Sequence, residues 1–195
     1  MGPFEYMILF ISFIYTIGLT HLLFAMTRML RHRRSLIFSW PHFLWMLVAL
    51  VNLMLNWIGG YDLHNVEKLP LPTIAIGLGF SILLYFQCAL VSPDFEEGES
   101  YDMRAFHERE GVTYIGVVAI LVIAAIAVNY LEGLAFSIES VARQNLFVSA
   151  MLPPAVVALF VRRTWVQISM PLIILVLQTV DTVVFYPVLE KVSGG

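Results

Sequence analysis

Six long stretches of this chain contain no Asp, Glu, Lys or Arg: Tyr6–Thr27, Ser35–Tyr61, Leu69–Pro93, Gly111–Leu131, Gln144–Val161 and Thr164–Val180. A helix needs about 20 residues to cross the hydrocarbon of a bilayer. Backbone N–H and C=O groups find no water there, so an apolar run of this length is read as helix. The first four stretches are ample. The fifth is slightly short unless its helix begins near Ile138 and Arg143 snorkels to the interface. The sixth reaches full length only by including Asp181 and running on toward Pro187. The expected fold is therefore all-α, a single transmembrane domain over 1–195 with six helices at about 4–28, 38–60, 71–92, 111–131, 138–161 and 164–187, and a loop over 93–110.

Composition agrees with this reading. Hydrophobic residues make up 59% and charged residues 13%, against about 25% charged in a soluble domain. The apolar excess has to face lipid. A net charge of −3 without a basic stripe outside the loops argues against nucleic acid as a partner. The expected partners are the bilayer itself and a second copy or another membrane protein. The lone Cys88 cannot form an intramolecular disulfide, and no Cys/His zinc spacing is present. The N-terminal run lacks a basic flank and exceeds the about 7–15 apolar residues of a cleavable signal, so it is read as a retained helix.

Orientation follows from the excess of Lys and Arg in cytoplasmic loops. Arg28, Arg31, Arg33 and Arg34 follow helix 1, Arg104 and Arg109 follow helix 3, and Arg162 and Arg163 follow helix 5. The other side holds Lys68, Arg143 and Lys191. Three alternate loops agree, which places loop 93–110 in the cytoplasm and both termini outside it. Aromatic residues fit as interface belts, with Trp40, Tyr114 and Trp165 inside and Tyr6, Trp57, Tyr61, Tyr130 and Tyr186 outside. Within loop 93–110 an acidic, turn-rich half precedes a short interfacial helix that carries Met103 and Phe106 on one face. Pro153-Pro154 and Pro171 fall inside spans and should kink helices 5 and 6. Ala75 and Gly79 form a small-xxx-small pair of the kind that lets helices pack closely.

Ionisable and amide side chains inside a span are costly and mark candidate function. On helix 1, Gly18, His21, Ala25 and Arg28 share a helical face, which suits a protein-facing seam. Counting inward from Arg28 and Pro93 puts His21 and Gln87 at similar depth, with His42 shallower on helix 2. These three residues are candidates for an inward-facing polar pocket. His32, His64 and His107 read as loop residues. A second cluster belongs to the outer half: Asn52 and Asn56 four apart on helix 2, Asn129 on helix 4, Arg143, Gln144 and Asn145 opening helix 5, and Gln178 and Asp181 three apart on helix 6. Gln167 lies eleven residues before Gln178, about three turns away and on the same face. Asp181 and Arg143 fall at similar depth and are expected to pair. For both clusters two readings stand, a solute-accessible path or interhelical hydrogen-bonded glue.

Three function classes are consistent with these residues. The first is a channel or small transporter for a proton, ion or small polar solute. The second is a non-catalytic membrane scaffold or sensor subunit. The third is a redox protein in which His21 and His42 hold haem or a metal, although nothing in the sequence requires a cofactor. No paired carboxylates, Ser/His set or HExxH motif points to hydrolysis, so an enzyme is the less expected class. The expected location is a bacterial inner (plasma) membrane. The topology is directly testable. Reporter fusions after Arg34, Glu99 and Arg163 should read as cytoplasmic and a fusion at Gly195 as the opposite side. A cytoplasmic C-terminus would refute the span count and orientation together.

Overall fold

A computed structural model of the chain describes residues 3–59, 71–94, 101–133 and 145–185. These residues form six helices: α1 (Pro3–Arg31), α2 (Trp40–Gly59), α3 (Leu71–Val91), α4 (Met103–Gly133), α5 (Leu152–Phe160) and α6 (Thr164–Phe185). A helical turn over 145–150 precedes α5. No strand occurs among the described residues, where a single bridge joins Ile37 to Asp102. Expected positions at His64, Lys68, Arg143, Gln144, Tyr186, Pro187 and Lys191 lie outside the described residues.

The first four helix starts have local causes. Pro3, Pro41 and Pro72 sit in the first turns of α1, α2 and α3, where the missing N–H has no intrahelical partner to lose. Asp102 opens α4: its Oδ1 accepts the backbone N–H of Arg104 at 2.8 Å and of Ala105 at 3.0 Å, the geometry of an N-cap carboxylate. The short helix expected before span 4 is continuous with that span, so α4 has 31 residues and a length of about 46 Å. That exceeds a hydrocarbon core of about 30 Å, and the outward side of its first turns is charged and exposed, with Arg104 Nε 3.3 Å from Glu108 Oε1.

Pro153-Pro154 break the fifth helix. Neither proline can donate to a carbonyl four residues back, and the chain takes a tighter turn in which Met151 N–H reaches Val148 O at 3.1 Å. The helix resumes with the prolines in its first turn. Pro171, by contrast, lies inside a continuous α6.

The bundle is organised around α2, which packs against α1, α3, α4 and α6. Trp45, Met46, Val48, Ala49 and Leu53 of this helix are buried. The outer helices turn large apolar side chains outward: Phe10, Phe13, Ile17 and Phe24 on α1, Ile120 and Ile123 on α4, Val176 and Val183 on α6. Five helices are long and apolar enough to cross a membrane, with Asn145–Phe160 as a shorter apolar helix. An outward apolar belt on helices of this length is the fold of an integral membrane protein.

Small residues bring α1 and α3 together, but not those expected. Ala75 and Gly79 point outward, and a Cβ added at Gly79 would meet nothing within 4 Å. The close approach is at Gly18, where an added Cβ would lie 3.5 Å from Cys88 Cβ and 3.7 Å from Tyr85 Cα. Gly18→Leu should therefore destabilise the protein by about 1–3 kcal/mol through overpacking, while Gly79→Leu should be tolerated. Thermal loss of the monodisperse peak in detergent, measured for both variants, checks the contrast; equal behaviour would refute the Gly18 contact.

Candidate functional site: a polar seam along α2 and α6

On α2, positions 42, 45, 49, 52 and 56 advance by alternate steps of three and four and so lie on one helical face. This face carries His42, the indole of Trp45, Asn52 and Asn56, with Ala49 between them. On α6 the same spacing aligns Gln167, Pro171, Ile174, Gln178 and Asp181. The two helices pack together, and the polar residues gather into two groups separated by an apolar layer.

The first group centres on Asn52. Gln178 Nε2 donates to Asn52 Oδ1 at 2.7 Å, and Asn52 Nδ2 donates to Gln87 Oε1 at 3.1 Å. One asparagine thus joins α6, α2 and α3. Asn56 Nδ2 donates back to Asn52 O at 2.9 Å. Gln87 is 1% exposed and Gln178 3%, so these are desolvated amides and their remaining atoms matter. Gln87 Nε2, Gln178 Oε1 and one carboxylate oxygen of Asp181 are buried without a hydrogen-bond partner. The expected partner of Asp181, Arg143, lies outside the described residues.

The structure thereby merges what the sequence reading kept apart. Gln87 was expected near the inner ends of the helices and Asn52 in the outer half. Gln87 is four residues from the end of α3 and Asn52 twelve from the start of α2, or about 6 Å and about 18 Å of helix. Their hydrogen bond means that α3 ends well inside the level at which α2 begins. Equal insertion of the helices from their flanking loops does not hold for α3.

The second group lies at the opposite end of the seam. His42 is fully buried, with its ring edge-on to Phe106 at 5.0 Å and to Tyr114 at 5.9 Å between centroids. Neither ring nitrogen has a hydrogen-bond partner. His107, expected in a loop, is instead buried on α4, with Nδ1 hydrogen-bonded to the Tyr114 hydroxyl. The Gln167 side chain lies beside the His107 ring. Its Nε2 donates to the last carbonyls of α5, Ala158 O at 2.7 Å and Val161 O at 2.8 Å. His107 Nε2 and Gln167 Oε1 end without a well-formed hydrogen bond. Gly111 makes room here for Arg162, whose Nη1 would lie 2.9 Å from an added Cβ.

Between the groups lie Trp45, Ala49, Pro171 and Ile174, all buried. The indole N–H of Trp45, inside this layer, also lacks an acceptor. A third, smaller contact ties α4 to the turn before α5: Asn129 Nδ2 donates to Asn145 Oδ1 at 3.1 Å. No hydrogen bond among the described residues joins that pair to Asn52.

His21 is not part of the seam, contrary to expectation. The buried line of α1 runs through Gly18, Leu22, Ala25 and Met29, and His21 lies beside it on an exposed flank. Its ring stands edge-on to Tyr85 at 5.8 Å. Arg28, half-buried, holds its guanidinium 4.6 Å over the Phe24 ring. The structure therefore does not assemble a pocket from His21, His42 and Gln87, nor bring His21 and His42 together as paired ligands. No cluster of three or more metal-ligating side chains occurs among the described residues. No family model, curated protein or solved structure matches the chain.

Asn52 is the joint whose loss should be felt on three helices. Asn52→Leu should cost about 1–2 kcal/mol, because Gln87 and Gln178 are both left without a partner. Combined with Gln178→Leu, the cost should fall clearly short of the sum of the single variants. Unfolding in mixed micelles at graded denaturant measures this coupling, and additive costs would refute the contact.

Proposed function

We propose that the chain is a small channel or transporter that passes a proton, an ion or a small polar solute along the seam of α2 and α6. One observation carries this reading. Both polar groups of the seam hold buried atoms that lack partners, the two nitrogens of His42 among them. Away from bulk water an unpaired polar atom costs up to several kcal/mol, and in native proteins water or a ligand usually answers it. The unmet atoms include donors and acceptors, on His42 and Trp45 of α2 and on Gln167, Gln178 and Asp181 of α6, with Gln87 of α3 and His107 of α4 beside them. His42, His107 and Asp181 add groups able to hold a proton. The same reading places the protein in a bacterial inner membrane, with the arginine-rich loops in the cytoplasm.

A second reading, a membrane scaffold, rests on two different observations. Asn52 spends its side-chain amide and carbonyl on other helices, as interhelical glue does. His21 faces outward from α1, where a helix of another copy or of a partner protein would meet it. The third class, a haem or metal redox protein, finds no support in the placement of His21 and His42.

Flux into liposomes separates the first two readings. Purified protein should carry protons, potassium ions or a small polyol faster than empty vesicles. Asn52→Leu and His42→Phe should each lower that flux by about tenfold if the barrier rises by about 1.4 kcal/mol. Correctly folded protein that carries none of these solutes above the empty-vesicle rate would overturn the transport reading.

A further inference from the structure

The end of α1 carries a feature that the seam does not use. The helix has 29 residues and is about 43 Å long, longer than the about 30 Å of hydrocarbon. Its last turn and the following bend hold Arg31, Arg33 and Arg34, all exposed. None of the three makes a salt bridge among the described residues. With Leu30, His32 and Ser35 they line a shallow, open concavity at the helix end.

The bend is held by hydrogen bonds. Ser35 N–H and its hydroxyl both donate to His32 O, at 2.9 and 3.2 Å, and the His32 backbone N–H donates to Arg28 O at 2.9 Å. Ile37 and the start of α4 are tied together, with Ile37 N–H on Tyr101 O at 2.9 Å and Met103 N–H on Ile37 O at 3.1 Å. The guanidinium groups therefore project from a fixed backbone. In the flanking chain, Leu30 is 70%, Ile37 54%, Phe38 45% and Trp40 60% exposed. The Phe38 and Trp40 rings stand edge-on at 5.2 Å. A soluble anion has no use for this apolar collar, whereas a lipid offers acyl chains to it.

We propose that this turn binds the phosphate headgroup of an anionic phospholipid. Guanidinium forks fit phosphate with paired hydrogen bonds, and arginine clusters at the end of a membrane helix attract anionic headgroups. Leu30, Phe38 and Trp40 would pack against the upper acyl chain and glycerol region, the level at which aromatic residues collect. The simpler role of these arginines, orienting the helix in the membrane, needs charge but no exposed apolar and aromatic residues flanking them.

Native mass spectrometry of the full-length protein tests this. The probes are equal amounts of phosphatidylglycerol and phosphatidylcholine in detergent. The wild-type chain should retain phosphatidylglycerol in preference, and inorganic phosphate should not displace it. Triple replacement of Arg31, Arg33 and Arg34 by Gln should abolish that preference, at roughly fivefold in affinity for each arginine removed. The triple Lys variant, which keeps the orienting charge, should weaken binding while inserting normally. Arg104→Gln with Arg109→Gln should leave binding unchanged. Equal retention of the two lipids by the wild type would overturn the proposal without need of any variant. So would displacement by inorganic phosphate, or an unchanged preference in the triple Gln variant.

Discussion

In hydrocarbon, a polar side chain has to find its partner on another helix or keep the cost of being unpaired. Asn52 meets that constraint for three helices. It accepts from Gln178 and donates to Gln87, and the reach of those side chains sets the level of α3 against α2. The close packing of α1 on α3 at Gly18 and Cys88 then fixes α1 in turn. Hydrophobic burial contributes little to such ordering inside a bilayer, because lipid tails are as apolar as leucine. Directional bonds and close backbone contacts decide which of many apolar packings is adopted, the bonds through Asn52 on α2 and the close contact between α1 and α3.

The fold was legible for the same reason that the site was less so. Span-length apolar runs leave a chain no alternative to helix, and the runs ending near Arg31, Gly59 and Val91 coincide with helices found there. Which side of each helix faces protein depends on packing that an all-apolar surface hardly reveals. On α1, Gly18 and Ala25 do lie in the buried line of the helix, yet His21 lies just off it, about 60° from Gly18 around the axis at 100° per residue. A stripe of four positions is too broad to separate a buried residue from its neighbour. His107 was missed for another cause. The charged residues of 103–110 suggest a short interfacial helix with Met103 and Phe106 on its apolar face and leave His107 off it, but Met103, His107, Gly111, Tyr114 and Val118 repeat at four, four, three and four, and all are buried. That heptad-like spacing was the available signal, extending the buried line of α4 through a charged segment.

The depth of Gln87 shows a different limit. Positions along a helix were readable, and the alignment of Gln167 with Gln178, or of Asn52 with Asn56, follows from 3.6-residue periodicity alone. Relative insertion of two helices is not a property of either sequence segment. It is set by the contacts between them, and here by one amide pair. The bonds of Asn52 carry Gln87 into the Gln178 group, and the buried histidines stand apart from it where α2 meets α4.

The apolar layer between the two polar groups bears on how a solute would pass. Gln167 and Gln178 are eleven residues apart, about 16 Å along α6, and the buried side chains of Trp45, Ala49 and Ile174 fill the interval. A static pore does not fit this filling, because an ion crossing it would meet no partner over most of that distance. Passage requires the layer to open, and α6 has its weakest backbone at that level. Pro171 lacks the N–H that would bond the carbonyl of Gln167, so bending there breaks no hydrogen bond at that step. Gln167 itself is tied to the end of α5 through Ala158 O and Val161 O, while Gln178 is tied to α2 through Asn52. A bend at Pro171 would therefore move the α5 end of the seam against α2 and leave the amide chain intact. That separation of a fixed half from a movable half is what an alternating transporter needs, and it favours gated transport over an open channel within the transport reading.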